Sequence, residues 1–169
     1  MIKTPTPNRS HSNHPGSGFS LIELLIVVAI ILIIAAISIP SILRARIAAN
    51  QAGAVENCRV VSIGEVNYSI LYGGFSPTLL ALGGPATGPA NATNAQIIDE
   101  ALSSGMRAGY VFTYAPLNVD PSGNYQDYTL NADPQVPVFT GDDHYFTDEP
   151  ALIHVNHAGP ASVNDPPIQ

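Results

Sequence analysis

The chain has 169 residues, only 11% of them charged, with 6 Lys and Arg against 13 Asp and Glu. That length holds one modest domain plus a long helix and argues against a second domain. The acidic balance, with no cluster of basic residues, argues against nucleic acid as a partner, and the lone Cys58 excludes an intrachain disulfide and any Cys-rich metal site.

Residues 1–18 contain Pro5, Pro7, Pro15, Gly16 and Gly18, two basic residues (Lys3, Arg9) and no periodic apolar pattern, so they read as a detachable leader. From Phe19 to Ile39 the chain is apolar except for Ser20, Glu23 and Ser38. As a helix this run is about 31 Å long at 1.5 Å per residue, matching a hydrocarbon core of roughly 30 Å. A secretory signal places its small-residue cleavage site after the apolar region; here the glycine precedes it, so the run stays in the product. A carboxylate inside a membrane span costs a few kcal/mol and marks a partner or a function. A cut between Gly18 and Phe19 supplies one, because the new α-amino group arises four residues before Glu23.

Pro40 removes one helical hydrogen bond and disfavours helical geometry at Ile39, which predicts a kink or locally melted stretch around Ser38–Ser41. Beyond it, Ile42, Leu43, Ile47, Ala54, Cys58, Val61, Tyr68 and Tyr72 recur at three-, four- and seven-residue spacings, the pattern of an amphipathic helix over 40–72, with Gly73-Gly74 as its stop. Residues 73–95 are rich in Gly and Pro and read as a connecting loop with one short helical turn at Thr78–Leu82. A second short helix is expected over Gln96–Leu102. Alternating patterns follow at Tyr110–Tyr114, Tyr128–Ala132, Tyr145–Thr147 and Leu152–Val155, with a turn at Asp120–Gly123, giving three or four antiparallel strands. Residues 157–169, with Gly159, Pro160, Pro166 and Pro167, read as a loosely ordered tail. The expected class is α+β: a leader (1–18), a transmembrane helix (19–39), an amphipathic continuation (40–72), and a head (73–169) whose small antiparallel sheet packs on that helix.

The sequence Gly18-Phe19-Ser20-Leu21-Ile22-Glu23, behind a short basic leader and ahead of an aliphatic stretch and Pro40, resembles the prepilin signal of type IV pilins and of the pseudopilins of type II secretion. The resemblance covers residues 1–60. It implies cleavage after Gly18 by a prepilin peptidase, N-methylation of Phe19, and a role for Glu23 in aligning each incoming subunit. It also implies a homopolymer capped or primed by minor pilins or pseudopilins, an inner-membrane assembly platform with a cytoplasmic ATPase motor, and residence in the lipid bilayer before assembly. Processing would leave Arg44, Arg46, Arg59 and Arg107 as the only basic residues, and no Lys. Surface pilus and periplasmic secretion pseudopilus both fit this reading. The competitor from another class is a single-pass membrane-anchored binding module that never polymerises.

Other residues admit plainer readings. Glu23 can serve simply as a helix-start carboxylate. Arg44 and Arg46, just past the span, suit lipid head groups or acidic faces of neighbouring heads. Asp142, Asp143, Asp148 and Glu149 bracket a short strand and by resemblance to some major pseudopilins suggest calcium; a solvated acidic turn is the simpler account. His144, His154 and His157 suggest a cross-strand zinc pair, but surface histidines are the better expectation because no complete ligand set accompanies them. Asn91-Ala92-Thr93 and Asn67-Tyr68-Ser69 both fit a glycosylation sequon, the second on a predicted helix. Cys58 is assigned to core packing. No catalytic motif is present, so no enzyme is expected.

Overall fold

The computed structural model describes residues 18–85, 88–149 and 151–168. One long helix, α1 (Leu21–Tyr72), precedes α2 (Leu79–Leu82), α3 (Glu100–Ser103) and the strands β1 (Met106–Arg107), β2 (Tyr110–Val119), β3 (Tyr125–Pro134), β4 (His144–Asp148) and β5 (His154–Asn156). The chain divides between Ile39 and Pro40 into two compact units. Apart from Gly18, the expected leader lies outside the described residues.

In the first unit, residues 21–39 are helical and every side chain is exposed except the half-buried Ala35 and Ser38. The stretch is long and apolar enough to cross a membrane.

The helix is unbroken at Pro40, so the melted stretch expected at Ser38–Ser41 is not what forms. Proline's fixed φ is itself helical; it removes one hydrogen bond and crowds one carbonyl, a cost that the turns on either side absorb. In the second unit, Ala54, Cys58, Val61 and Tyr68 of α1 are buried against Tyr110, Phe112, Leu130, Ala132 and Tyr145 of the sheet. Each large apolar side chain so enclosed stabilises by about 1.5–3 kcal/mol. Ile42 and Leu43, members of the predicted apolar stripe, stay exposed, and Ile47 is half-buried. The head therefore begins to cover the helix only near Asn50.

Gly73 ends α1 in the left-handed region (φ +85°), its N–H donating to Ser69 O at 2.9 Å. Gly74 follows because a Cβ there would stand 2.7 Å from both Asn124 Cβ and Tyr125 O. The Thr78 hydroxyl caps α2 by accepting from Ala81 N–H. The predicted helix over Gln96–Leu102 shrinks to α3, capped by Asp99. Gln96 has φ +56° and Asp99 is extended (φ −70°, ψ 156°), so helical geometry begins only after Asp99, while the N–H groups of Ala95, Gln96 and Ile97 donate to Ala81, Gly83 and Leu82.

The sheet is an antiparallel meander in the order β1-β2-β3-β4-β5. It has five strands rather than three or four: the pattern at Leu152–Val155 forms β5, and the addition is the two-residue β1, held by pairing alone. The β2–β3 ribbon pairs Tyr110 with Pro134 at one end and Val119 with Tyr125 at the other. It is longer than the alternating patterns foretold and runs through Pro116. That proline is tolerated because β1 pairs only with Tyr110 and Val111, so from Thr113 onward β2 is an edge. The tail is not loose either. Val155 N–H donates to Pro166 O, Ile168 N–H to Ile153 O, and Asn131 Nδ2 to Ala161 O, which fastens it to β5 and across the sheet.

Candidate assembly and membrane-anchoring segment

The start of α1 is built by Ser20 and Glu23. Ser20 O accepts the first intrahelical bond, from Leu24 N–H at 3.2 Å, and Glu23 Oε2 accepts from the Ser20 backbone N–H at 2.8 Å. Ser-Leu-Ile-Glu thus forms half of a capping box. The spacing was the signal for this bond, which the sequence reading missed. Its consequence is positional: the carboxylate is folded back to the N–H directly after Phe19. Gly18 and Phe19 are exposed, and nothing lies within 4 Å of where a Gly18 Cβ would be. From Leu24 to Leu43 no further charge interrupts the helix. Arg44 and Arg46 follow, exposed and without an ion-pair partner among the described residues.

The acidic candidates in the head fall into two separate pairs. Asp142 and Asp143 precede β4, and Asp148 and Glu149 lie at its other end, so about 13 Å of strand separates them at 3.3 Å per residue. Among the described residues no three His, Cys, Asp or Glu side chains gather around one point. A calcium ion held by one pair would have to draw its remaining ligands from backbone or water. With the pairs so placed, the melting temperature of the detergent-solubilised chain is expected to be the same in chelator and in millimolar calcium; a rise of several degrees would show a site.

The histidines are occupied individually. His144 Nδ1 lies 2.6 Å from Asp133 Oδ1, His157 Nδ1 bonds Asp143 Oδ1, and His154 Nδ1 lies 2.6 Å from Asp165 O. Contrary to the expectation of surface histidines, His154 is buried and His144 half-buried, because the tail folds over β5. Cys58 is fully buried, and burial pushes its thiol up to about 12, which leaves it inert. Asn91 Oδ1 accepts from both the N–H and hydroxyl of Thr93, an exposed Asx turn, while Asn67 is exposed on α1.

The polar feature sequence reasoning missed is Glu65, fully buried where α1 meets the sheet. It accepts from Ser76 N–H at 2.8 Å and from the Ser76 hydroxyl at 2.5 Å, and the Tyr114 hydroxyl donates to Ser76 O at 2.9 Å. Burial raises the pKa of Glu65, and the Ser76 donors offset part of that rise. The signal was present: Val61, Glu65, Tyr68 and Tyr72 share one stripe of the helix, so the carboxylate stands on the apolar face.

The architecture is α+β and pilin-like: a long helix with a largely exposed apolar first half, packed through its second half on a small antiparallel sheet. Residues 16–39 match the prokaryotic N-terminal methylation motif, so the chain carries the prepilin-type cleavage and methylation signal of type IV pilins and pseudopilins. The motif implies processing by a prepilin peptidase, and with the apolar helix it fits anchoring in the inner membrane. The proteins that bear it are structural rather than enzymatic. A comparison with curated proteins finds no match.

Proposed function

We propose that the chain is the structural subunit of a helical filament of the type IV kind, cleaved after Gly18, N-methylated at Phe19, and drawn from the inner membrane into a fibre whose core is made of residues 19–39. The observation that carries this reading is the placement of Glu23: the only charge in an exposed apolar helix, folded back to the backbone N–H that follows Phe19. Removing residues 1–18 puts an ammonium group within reach of that carboxylate, or of the carboxylate of a neighbouring copy. In lipid, a charge pair is the way a carboxylate at this depth is made tolerable.

The energetics favour transfer from one apolar surrounding to another rather than release into water. Exposing the apolar run to water costs on the order of 20 kcal/mol at about 25 cal/mol per Å², so extraction proceeds only as other subunits cover it. An assembly platform and a cytoplasmic motor, with minor pilins or pseudopilins at the tip, are the partners this demands. Both a surface pilus and a secretion pseudopilus satisfy the chemistry.

The test is to shear cells expressing the chain at its normal level and to analyse the released fraction by electron microscopy and mass spectrometry. A methylated terminus at Phe19 in long sheared fibres supports a pilin. The same terminus retained in the envelope supports a pseudopilin. A chain that keeps Met1 and stays in the membrane overturns the reading in favour of an anchored, non-polymerising binding module.

A further inference from the structure

We propose that Asn91 is an N-glycosylation acceptor, its side-chain amide taking a saccharide from a lipid-linked donor once the head stands beyond the membrane. The inference rests on the filament reading only through that placement of the head outside the cytoplasm; it needs no polymer. From Phe19 onward the acceptor pattern Asn-x-Ser/Thr occurs twice, at Asn67-Tyr68-Ser69 and at Asn91-Ala92-Thr93. The fold separates the two. A transfer enzyme must hold the asparagine amide and the hydroxyl two residues on at the same time, with the backbone between them drawn out of regular structure.

Asn67 is exposed, but it lies inside α1, where Tyr68 beside it is buried in the core and the Ser69 hydroxyl is turned back to Val66 O at 2.8 Å. Presenting that triplet means unwinding the helix on which the sheet packs. Asn91-Ala92-Thr93 is the opposite case. It lies in the loop between α2 and α3, and residues 88–93 are exposed without interruption. The loop is tied down from behind: the Tyr68 hydroxyl donates to Ala92 O at 2.6 Å, and Asn91 and Asn94 exchange backbone bonds of 3.0 Å. The middle residue of the unusable triplet thus anchors the usable one.

The acceptor group itself is free. Asn91 Oδ1 takes both the N–H and the hydroxyl of Thr93, at 2.9 and 2.8 Å, so amide and hydroxyl stand side by side. Asn91 Nδ2 is left with one long contact, 3.4 Å to Pro89 O, outside the range of a good hydrogen bond. Nothing stands within 4 Å of where a Gly88 Cβ would be, so the loop has open space beside it for a bulky group. In the transfer, Nδ2 bonds to the anomeric carbon of the sugar as that carbon's bond to the lipid diphosphate breaks. The diphosphate leaves with the electron pair, and one amide proton passes to the enzyme's base. The product is neutral, hydrated bulk on a chain of which only 11% is charged.

The experiment purifies the full chain from its native cells at normal expression level and reads, by mass and fragmentation spectra, both its amino terminus and the residue that carries added mass. The expected result is a saccharide on Asn91 and none on Asn67. Asn91→Gln and Thr93→Ala should each lose it, the second while keeping the asparagine; Thr93→Ser and Asn67→Gln should retain it. All these side chains are exposed, so the variants keep the fold. A bare Asn91 in the native chain, a sugar on Asn67, or a sugar on Thr93 that survives Asn91→Gln overturns the assignment. A bare Asn91 on a chain that begins at Phe19 leaves the filament reading intact, whereas a sugar on Asn91 of a chain that keeps Met1 supports the acceptor site and overturns that reading instead.

Discussion

Glu23→Ala is expected to abolish filaments while leaving the precursor inserted and cleaved. The substitution removes the only charge from residues 19–39, near the start of the span, so insertion is made no harder. It also removes the bond to Ser20 N–H, which frays the first turn by about 1 kcal/mol and no more. On the proposed filament reading the effect on assembly is larger, because the ammonium group created at Phe19 would be left without its proposed partner in an apolar fibre core. Loss of even 1.4 kcal/mol per contact is tenfold in an association constant, and a filament repeats that contact at every subunit. Sheared-fibre yield measured beside the fraction of chain starting at Phe19 checks the prediction. Glu23→Gln separates the roles: the amide still accepts from Ser20 N–H but carries no charge, so it should fail like alanine. Normal yield from either variant would reduce Glu23 to a helix cap.

The second large effect concerns the head. Glu65→Ala is expected to destabilise the fold by about 2 kcal/mol, since a buried donor left unpaired costs about 1–3 kcal/mol and the Ser76 N–H loses its acceptor, while the Ser76 hydroxyl keeps Thr78 O at 3.1 Å. Thermal unfolding of the detergent-solubilised chain, followed by the near-ultraviolet signal of its tyrosines, reads this directly; a melting point within a degree of the parent would refute it. The pH dependence has the opposite sense from an ordinary surface carboxylate. Because burial holds the folded pKa above the usual value, the folded state binds the proton more tightly than the unfolded chain. Stability from this group is complete below the ordinary carboxylate range and is lost as pH rises through the raised folded value. Glu65→Gln removes that titration, so its stability should fall less than the parent's over the same rise in pH, each protein being compared with itself.

How much of this was legible in the sequence depended on the range of the interactions concerned. The amino-terminal segment was readable because its constraints are local: a glycine, an aromatic, a lone carboxylate and an apolar run fall within 22 residues. Gly73 and Asp120–Gly123 were equally plain, since each needs only its own backbone, whereas Gly74 is set by Asn124 and Tyr125 about 50 residues away. Gln96–Leu102 failed because the periodicity of Ile97, Ile98, Ala101 and Leu102 says nothing of carbonyls 14 residues upstream that claim the same N–H groups. The tail failed in the same way, its order coming from bonds to Ile153, Val155 and Asn131 rather than from its own composition. Glu65 was passed over because a charge within an amphipathic helix reads as its wet side until the register of the stripe is traced through it.

That fastened tail has a further consequence wherever copies of the head are crowded together. A sheet with a free border invites strand addition from any neighbour, and crowded heads with open borders would stick irreversibly. Here both borders are blunted by proline: Pro116 interrupts the open side of β2, and the segment ending Pro166-Pro167 lies along β5, where His154 bridges to Pro167. Neighbouring heads are thereby denied amyloid-like pairing, and contact between them is left to side chains, which can form and release.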